Sequence, residues 1–119
     1  MRATLPLTVF AALALLGCTS QGDREPTPVS VTSSDDTCDV TPGSAQAGTI
    51  VFSVQNTGTE VTAFHLLSAD DTIVGEVAGI GPGEAHDLVV EAAAGEYTTE
   101  CQQGAQAKGI RTAFSVTDQ

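Results

Sequence analysis

The sequence predicts an all-β protein, a Greek-key β-sandwich of seven to eight strands. Three observations support this. From Val29 onward the apolar residues recur with a period of two, the signature of half-buried strands. Turn residues break that alternation about every 8 to 12 positions, the spacing expected of a sandwich or barrel. No stretch is fit to start a helix, since Ala92-Ala93-Ala94 is too short to nucleate one.

The chain opens with a different kind of segment. Met1-Arg2 is a short positive start, and Leu5 to Leu16 is an apolar run broken only by Pro6 and Thr8. That run is too short to span a bilayer and reads as a cleaved signal, residues 1–17. It ends in Leu15-Leu16-Gly17-Cys18, which resembles the lipobox of bacterial lipoproteins. The resemblance implies cleavage before Cys18 and lipid on that residue, placing the protein in the cell envelope, extracytoplasmic and held to the membrane by acyl chains. The competing assignment is an ordinary secretory signal. Residues 18–29 follow as a flexible tether, because Thr19 to Pro28 contains no large apolar side chain to bury. Residues 30–118 are enough for one domain with one core.

Without residues 1–17 the chain keeps 15 acids against Arg24, Lys108 and Arg111, a net charge of −12. Nucleic acid is excluded as a partner on that balance, since phosphate binding wants clustered cations. With Cys18 assigned to lipid, Cys38 and Cys101 remain as a pair in an oxidising compartment. A structural disulfide is their default assignment.

The strands follow in order. Val29 and Val31 alternate with Ser30 and Thr32, Asp35-Asp36-Thr37 breaks the chain, and Cys38 and Val40 resume it before a turn at Pro42-Gly43-Ser44. Ile50, Phe52 and Val54 make a central strand that Asn56-Thr57-Gly58 ends, and Val61 to Leu67 is apolar on both sides. After Asp70-Asp71 comes Ile73 to Val77, then Gly81-Pro82-Gly83-Glu84, a type II turn by its Pro and Gly positions. Leu88 and Val90, a turn at Ala92 to Gly95, the Tyr97 strand and Ile110 to Val116 complete the set. Tyr97 stands just after a turn, where a tyrosine corner would bond to upstream backbone. With no Trp and four Phe, the core is expected to rest on Val, Ile, Leu and Ala.

Gly95-Glu96-Tyr97-Thr98-Thr99-Glu100-Cys101, the loop Gln102 to Gly109 and the closing strand resemble the end of a cupredoxin, the small sandwich that carries blue copper. That centre needs two His, one Cys and a weak axial ligand such as Met. Cupredoxins hold one His and the Met just after the Cys, and Gln102 to Gly109 contains neither. No type 1 copper is expected. Cys38-Asp39-Val40-Thr41-Pro42, Ala47 to Gly58, Ile73 to Val77, Ile80 to Gly83 and Gly95 to Cys101 together resemble the cupredoxin-like domain of EfeO-type proteins. Those proteins are periplasmic components of bacterial ferrous-iron uptake and usually continue into an imelysin-like (M75) domain; this sequence ends at Gln119. The EfeO-type domain also has a Glu where Ala63 stands.

The expected strand register leaves a metal site open. If Ala92 to Gly95 closes a hairpin, Leu88 faces Thr99 and His86 faces Cys101, both directed inward. His65 shares a strand face with Ala63, so His65, His86, Cys101 and Cys38 are the candidate ligands, a set suited to copper or zinc more than iron. Cys38 and Cys101 cannot be both disulfide and thiolate ligands. Glu60, Glu76 and Glu100 read as solvated strand-end charges, and no catalytic arrangement is found, so an enzyme is not expected. Two functions follow: an accessory in iron or copper handling that works with envelope metal-transport proteins, or a non-catalytic structural or protein-binding module without metal.

Overall fold

The computed structural model describes residues 25–104 and 108–118. The leader 1–17, Cys18 and the first residues of the tether lie outside the described residues. Nine strands are present, and no helix, among those described: β1 (Thr27–Ser33), β2 (Cys38–Thr41), β3 (Ser44–Gln46), β4 (Gly48–Asn56), β5 (Thr62–Leu67), β6 (Ile73–Ile80), β7 (Ala85–Ala92), β8 (Gly95–Gln103) and β9 (Ile110–Thr117). They form two sheets, ordered β2-β1-β4-β7 and β3-β9-β8-β5-β6. The chain changes sheet after β2, β3, β4, β6 and β7. The pairs β1–β4 and β3–β9 are parallel and the others antiparallel.

The alternation read from the sequence decides which side chains enter the core. Val29 and Val31 of β1, Ile50, Phe52 and Val54 of β4, Leu88 and Val90 of β7 point in from one sheet; Phe64 and Leu66 of β5, Cys101 of β8, Phe114 and Val116 of β9 point in from the other. The core rests on Val, Ile, Leu and Ala as expected, with three Phe at its centre. The Phe52 ring lies 5.1 Å from Phe64 and 5.4 Å from Phe114, tilted contacts that bind the two sheets. Few aromatic residues suffice when each sits where the sheets meet.

Nine strands rather than seven to eight reflects β3. The sequence places a turn at Pro42-Gly43-Ser44, and three residues that pair with β9 and bury only Ala45 leave no periodic signal. The body also starts earlier than residue 30, because Thr27, Pro28 and Val29 already pair with Ile50, Val51 and Phe52.

Two local expectations appear as read. Glu84 N donates to Gly81 O at 3.0 Å with Gly83 at φ 82°, a type II turn. Tyr97 Oη donates to Ala93 O at 2.7 Å, a tyrosine corner. That corner spans a change of sheet: β7 pairs with β4, β8 pairs with β5 and β9, and the expected β7–β8 hairpin does not form. Leu88, Val90 and Thr99 do point inward, but from different sheets, and Leu88 and Val90 pack against Gly75 of β6. A period of two is identical for both arrangements.

Candidate functional site

The inward rows at one end of the sandwich bring together Ser33 of β1, Asn56 of β4, Thr62 of β5 and Gln103 of β8, all buried. Backbone register puts them there: Ser33 is opposite both Cys38 and Asn56, and Thr62 is opposite Gln103. Their side chains join the two sheets. Ser33 Oγ and Thr62 Oγ1 share a hydrogen bond of 2.9 Å; Gln103 Nε2 donates to Ser33 Oγ at 3.0 Å and to Asn56 Oδ1 at 3.1 Å. Asn56 Nδ2 donates to the carbonyls of Glu60 and Ile80 at 2.7 and 2.9 Å, and Gly58 N donates to Asn56 Oδ1. Burial makes such bonds obligatory, because an unpaired amide in a dry interior costs on the order of 1–3 kcal/mol. Gln103 Oε1 alone in this cluster has no partner.

Beside this polar cluster Cys38 and Cys101 are joined in a disulfide, S–S 2.03 Å and Cα–Cα 5.7 Å, which links β2 of one sheet to β8 of the other. Both are buried. The default assignment of the cysteines is the one observed, and their use as thiolate ligands is overturned by it.

The histidines do not join them. His65 is a neighbour of Phe64, the residue opposite Cys101, so the strand alternation sends its ring to the outer face of the second sheet. There Nδ1 lies 3.0 Å from Glu100 Oε1 and Nε2 lies 3.2 Å from Glu76 Oε2. His86 stands opposite Val54 in the other sheet, exposed, with Nε2 3.6 Å from Glu84 Oε2. Its expected place opposite Cys101 fails with the β7–β8 hairpin. Among the described residues no group of three or more His, Cys, Asp or Glu is arranged to hold a metal ion.

Glu100 is not the solvated charge expected. Its side chain is 15% exposed and is held by Arg111 Nε at 2.8 Å as well as by His65. Burial acts to raise its pKa, yet the bonds and charges of Arg111 and His65 prevail and hold the carboxyl below the ordinary glutamate value. Arg111 is raised in return, chiefly by its bond to Glu100, with Asp71 3.2 Å away adding to it. Gly109 allows this close packing: a Cβ there would come within 2.4 Å of the Glu100 side chain.

A groove of about 530 Å³ opens at the same end of the second sheet, lined by Glu60, Val61, Ala63, Gly79 and Gly104 among others. Ala63, the position the resemblance assigns to a carboxylate, thus lines a surface groove on the outer face.

Sequence reasoning passes over Ser33, Asn56, Thr62 and Gln103. The one usable signal is Asn56-Thr57-Gly58, which reads as a strand end; nothing in the alternation distinguishes a buried polar residue at a strand end from an exposed one.

A family model described as a cupredoxin-like domain matches residues 7–113. The chain belongs to the cupredoxin-like domain family. Among solved structures, reduced auracyanin from the photosynthetic bacterium Roseiflexus castenholzii is similar over 76% of this chain and 97% of its own, with a TM-score of 0.61 and 17% identity. A multicopper oxidase is similar over 76% of this chain, with a TM-score of 0.55 and 17% identity; the chain spans 42% of that protein. At these identities the likeness concerns the fold. A comparison with curated proteins finds no match.

The residues of this cupredoxin-like domain do not fit a type 1 copper ion. That centre takes a thiolate and two imidazoles, whereas here the sulfur of Cys101 is bonded to Cys38, His65 lies outside the sheet, and the interior end is filled by neutral amides and hydroxyls. These groups are hard, weak donors occupied with one another.

Proposed function

We propose that this cupredoxin-like domain is a non-catalytic, EfeO-type binding module, lipid-anchored through Cys18 in the cell envelope, in which contacts have replaced metal chemistry. The observation that carries this reading is the Cys38–Cys101 disulfide, which uses both candidate thiolate sulfurs. The polar cluster beside it supports the same reading, since Gln103 and Asn56 stitch the sheets where a metal would otherwise join them. The anchor rests on Leu15-Leu16-Gly17-Cys18. The resemblance of Cys38 to Pro42 and Ala47 to Gly58 to EfeO-type domains favours an iron or copper uptake assembly as the setting, with an envelope metal-transport protein as partner and this domain supplying surface rather than ligands.

Metal analysis tests the central statement. Protein purified without tags or chelators and offered ferric, cupric and zinc ions should retain less than about a tenth of an equivalent of each. One equivalent retained, or a blue colour on adding cupric ion, overturns the reading. For the anchor, Cys18→Ser should move the protein from the membrane fraction to the soluble one and abolish labelling by a radioactive fatty acid.

A further inference from the structure

We propose that the open edge of β6 is a docking edge, which receives an extended basic and apolar segment of a partner protein as a sixth strand of the second sheet. The inference rests on the reading of the chain as a binding module and names the surface that binds.

β6 ends the second sheet, and its one ladder partner is β5. β7 lies beside it in the other sheet and touches it through side chains, Val90 and Leu88 against Gly75, without pairing. Among the described residues the other side of β6 carries no ladder, and at its far end Ile80 O is already taken by Asn56 Nδ2, which leaves Ile73–Ala78 as the stretch open to a further strand. Exposed edges invite pairing, and proteins usually guard them by shortness, charge or proline. The other three edges here are guarded. β3 has three residues, β2 has four and carries Asp39, and β7 carries His86, Asp87 and Glu91. β6 is eight residues long, without Lys, Arg or Pro. Its single charge, Glu76, is engaged by His65.

The exposed large apolar side chains collect around this edge. Ile73 (55%) and Val74 (40%) lie on β6 itself, and Val89 (62%) lies on the adjacent β7. The fourth, Val61 (53%), lines the groove that Gly79 of β6 also lines. A strand laid along Ile73–Ala78, short of the left-handed Gly79, would run from Ile73 and Val74 towards that groove, offering alternate side chains to both. This is strand addition, where main-chain bonds supply affinity and side-chain pockets supply selectivity.

Charge selects the occupant. Asp70 stands at one end of β6 beside Asp71, which is paired with Arg111, Glu84 follows the other end and Glu60 lines the groove. The chain as a whole carries 15 acidic residues against four basic ones. A second copy would bring the same excess negative charge to the contact, and like charges across a ladder are destabilising. A segment with Lys or Arg between apolar residues is complementary to this edge.

The test uses the full chain, isotopically labelled, with three acetylated peptides: alternating Val and Lys, alternating Val and Glu, and the Val–Lys peptide with a central Pro. Amide shifts and hydrogen exchange are read residue by residue over Ile73–Ile80. The Val–Lys peptide is expected to slow exchange along β6, less so as salt is added, and the other two to leave it unchanged. Ile73→Lys with Val74→Lys should weaken binding at least about tenfold, close to 1.4 kcal/mol; Ala78→Lys, a smaller change at an exposed site, should weaken it in the same direction. Three results would overturn the proposal: no effect on β6 by about 1 mM peptide, the weak end of specific contacts; equal binding by the Val–Glu peptide; or sedimentation showing a dimer with β6 protected, which gives the edge to a second copy. Metal uptake would shift His65 or His86 instead, so failure of the metal-free reading and failure of the edge are separable.

Discussion

Cys38 at the head of β2 and Cys101 near the end of β8 are bonded across the two sheets. The crosslink spans a sequence separation of 63 residues. A loop of that length restricts the unfolded chain enough to contribute about 4 kcal/mol. The paired replacement Cys38→Ser with Cys101→Ser should therefore lower the free energy of unfolding by roughly that amount, as measured by urea titration, and reductant should do the same to the parent but not to the variant.

Asn56 makes four hydrogen bonds from a fully buried position, two donated to Glu60 O and Ile80 O and two accepted from Gly58 N and Gln103 Nε2. Asn56→Ala would strand several of these groups at once. A loss of about 3 kcal/mol is expected from unsatisfied buried groups, together with faster hydrogen exchange at Gly58, whose N–H donates to Asn56. Asn56→Asp should be at least as damaging, because it loses both donors and buries a charge.

Gly75 passes so close to β7 that a Cβ would stand 2.6 Å from Val90 Cγ1. Gly75→Ala should destabilise by about 1–3 kcal/mol through overpacking. Val90→Ala makes room, so the double variant should lose less than the sum of the two single losses, which a double-mutant cycle would show.

The Glu100 carboxyl is held below its ordinary pKa against the opposing effect of burial, chiefly through its Arg111 and His65 bonds. A depressed folded-state pKa means that the contribution is present above the unfolded value, about 4.3 for glutamate, and is lost as pH falls through the folded value. Stability of the parent should drop as pH falls below about 4, and Glu100→Gln should flatten that region of the curve while lowering stability at neutral pH. Urea midpoints between about pH 6 and pH 2 check both.

How much of this is visible in the sequence differs by kind of signal. The eight longer strands follow from alternation, and local chemistry locates Tyr97 and the Gly81–Glu84 turn, since both act within a few residues. The disulfide follows from cysteine number and the compartment expected from the leader. The failures share one cause: alternation tells whether a side chain faces the core, but not which strand stands beside it. A hairpin would set His86 opposite Cys101, whereas the two strands belong to different sheets. An inward His65 requires Ala63 to line the interior, yet Phe64 and Leu66, with larger apolar side chains, claim that face of β5. Ser33 and Gln103 lie 70 residues apart in sequence, and a hydrogen bond at that separation leaves no trace in either neighbourhood.

The position of β1 has a mechanical consequence. From Thr27 onward the chain enters the body as an interior strand, flanked by β4 along its whole length and by β2 over its second half. A tug or a protease working inward from the amino end meets strand pairing on one side at Thr27–Val29 and on both sides from Ser30. Freeing the second half of β1 would mean tearing it from both neighbours at once, so a pull from the amino end is spread over the first sheet.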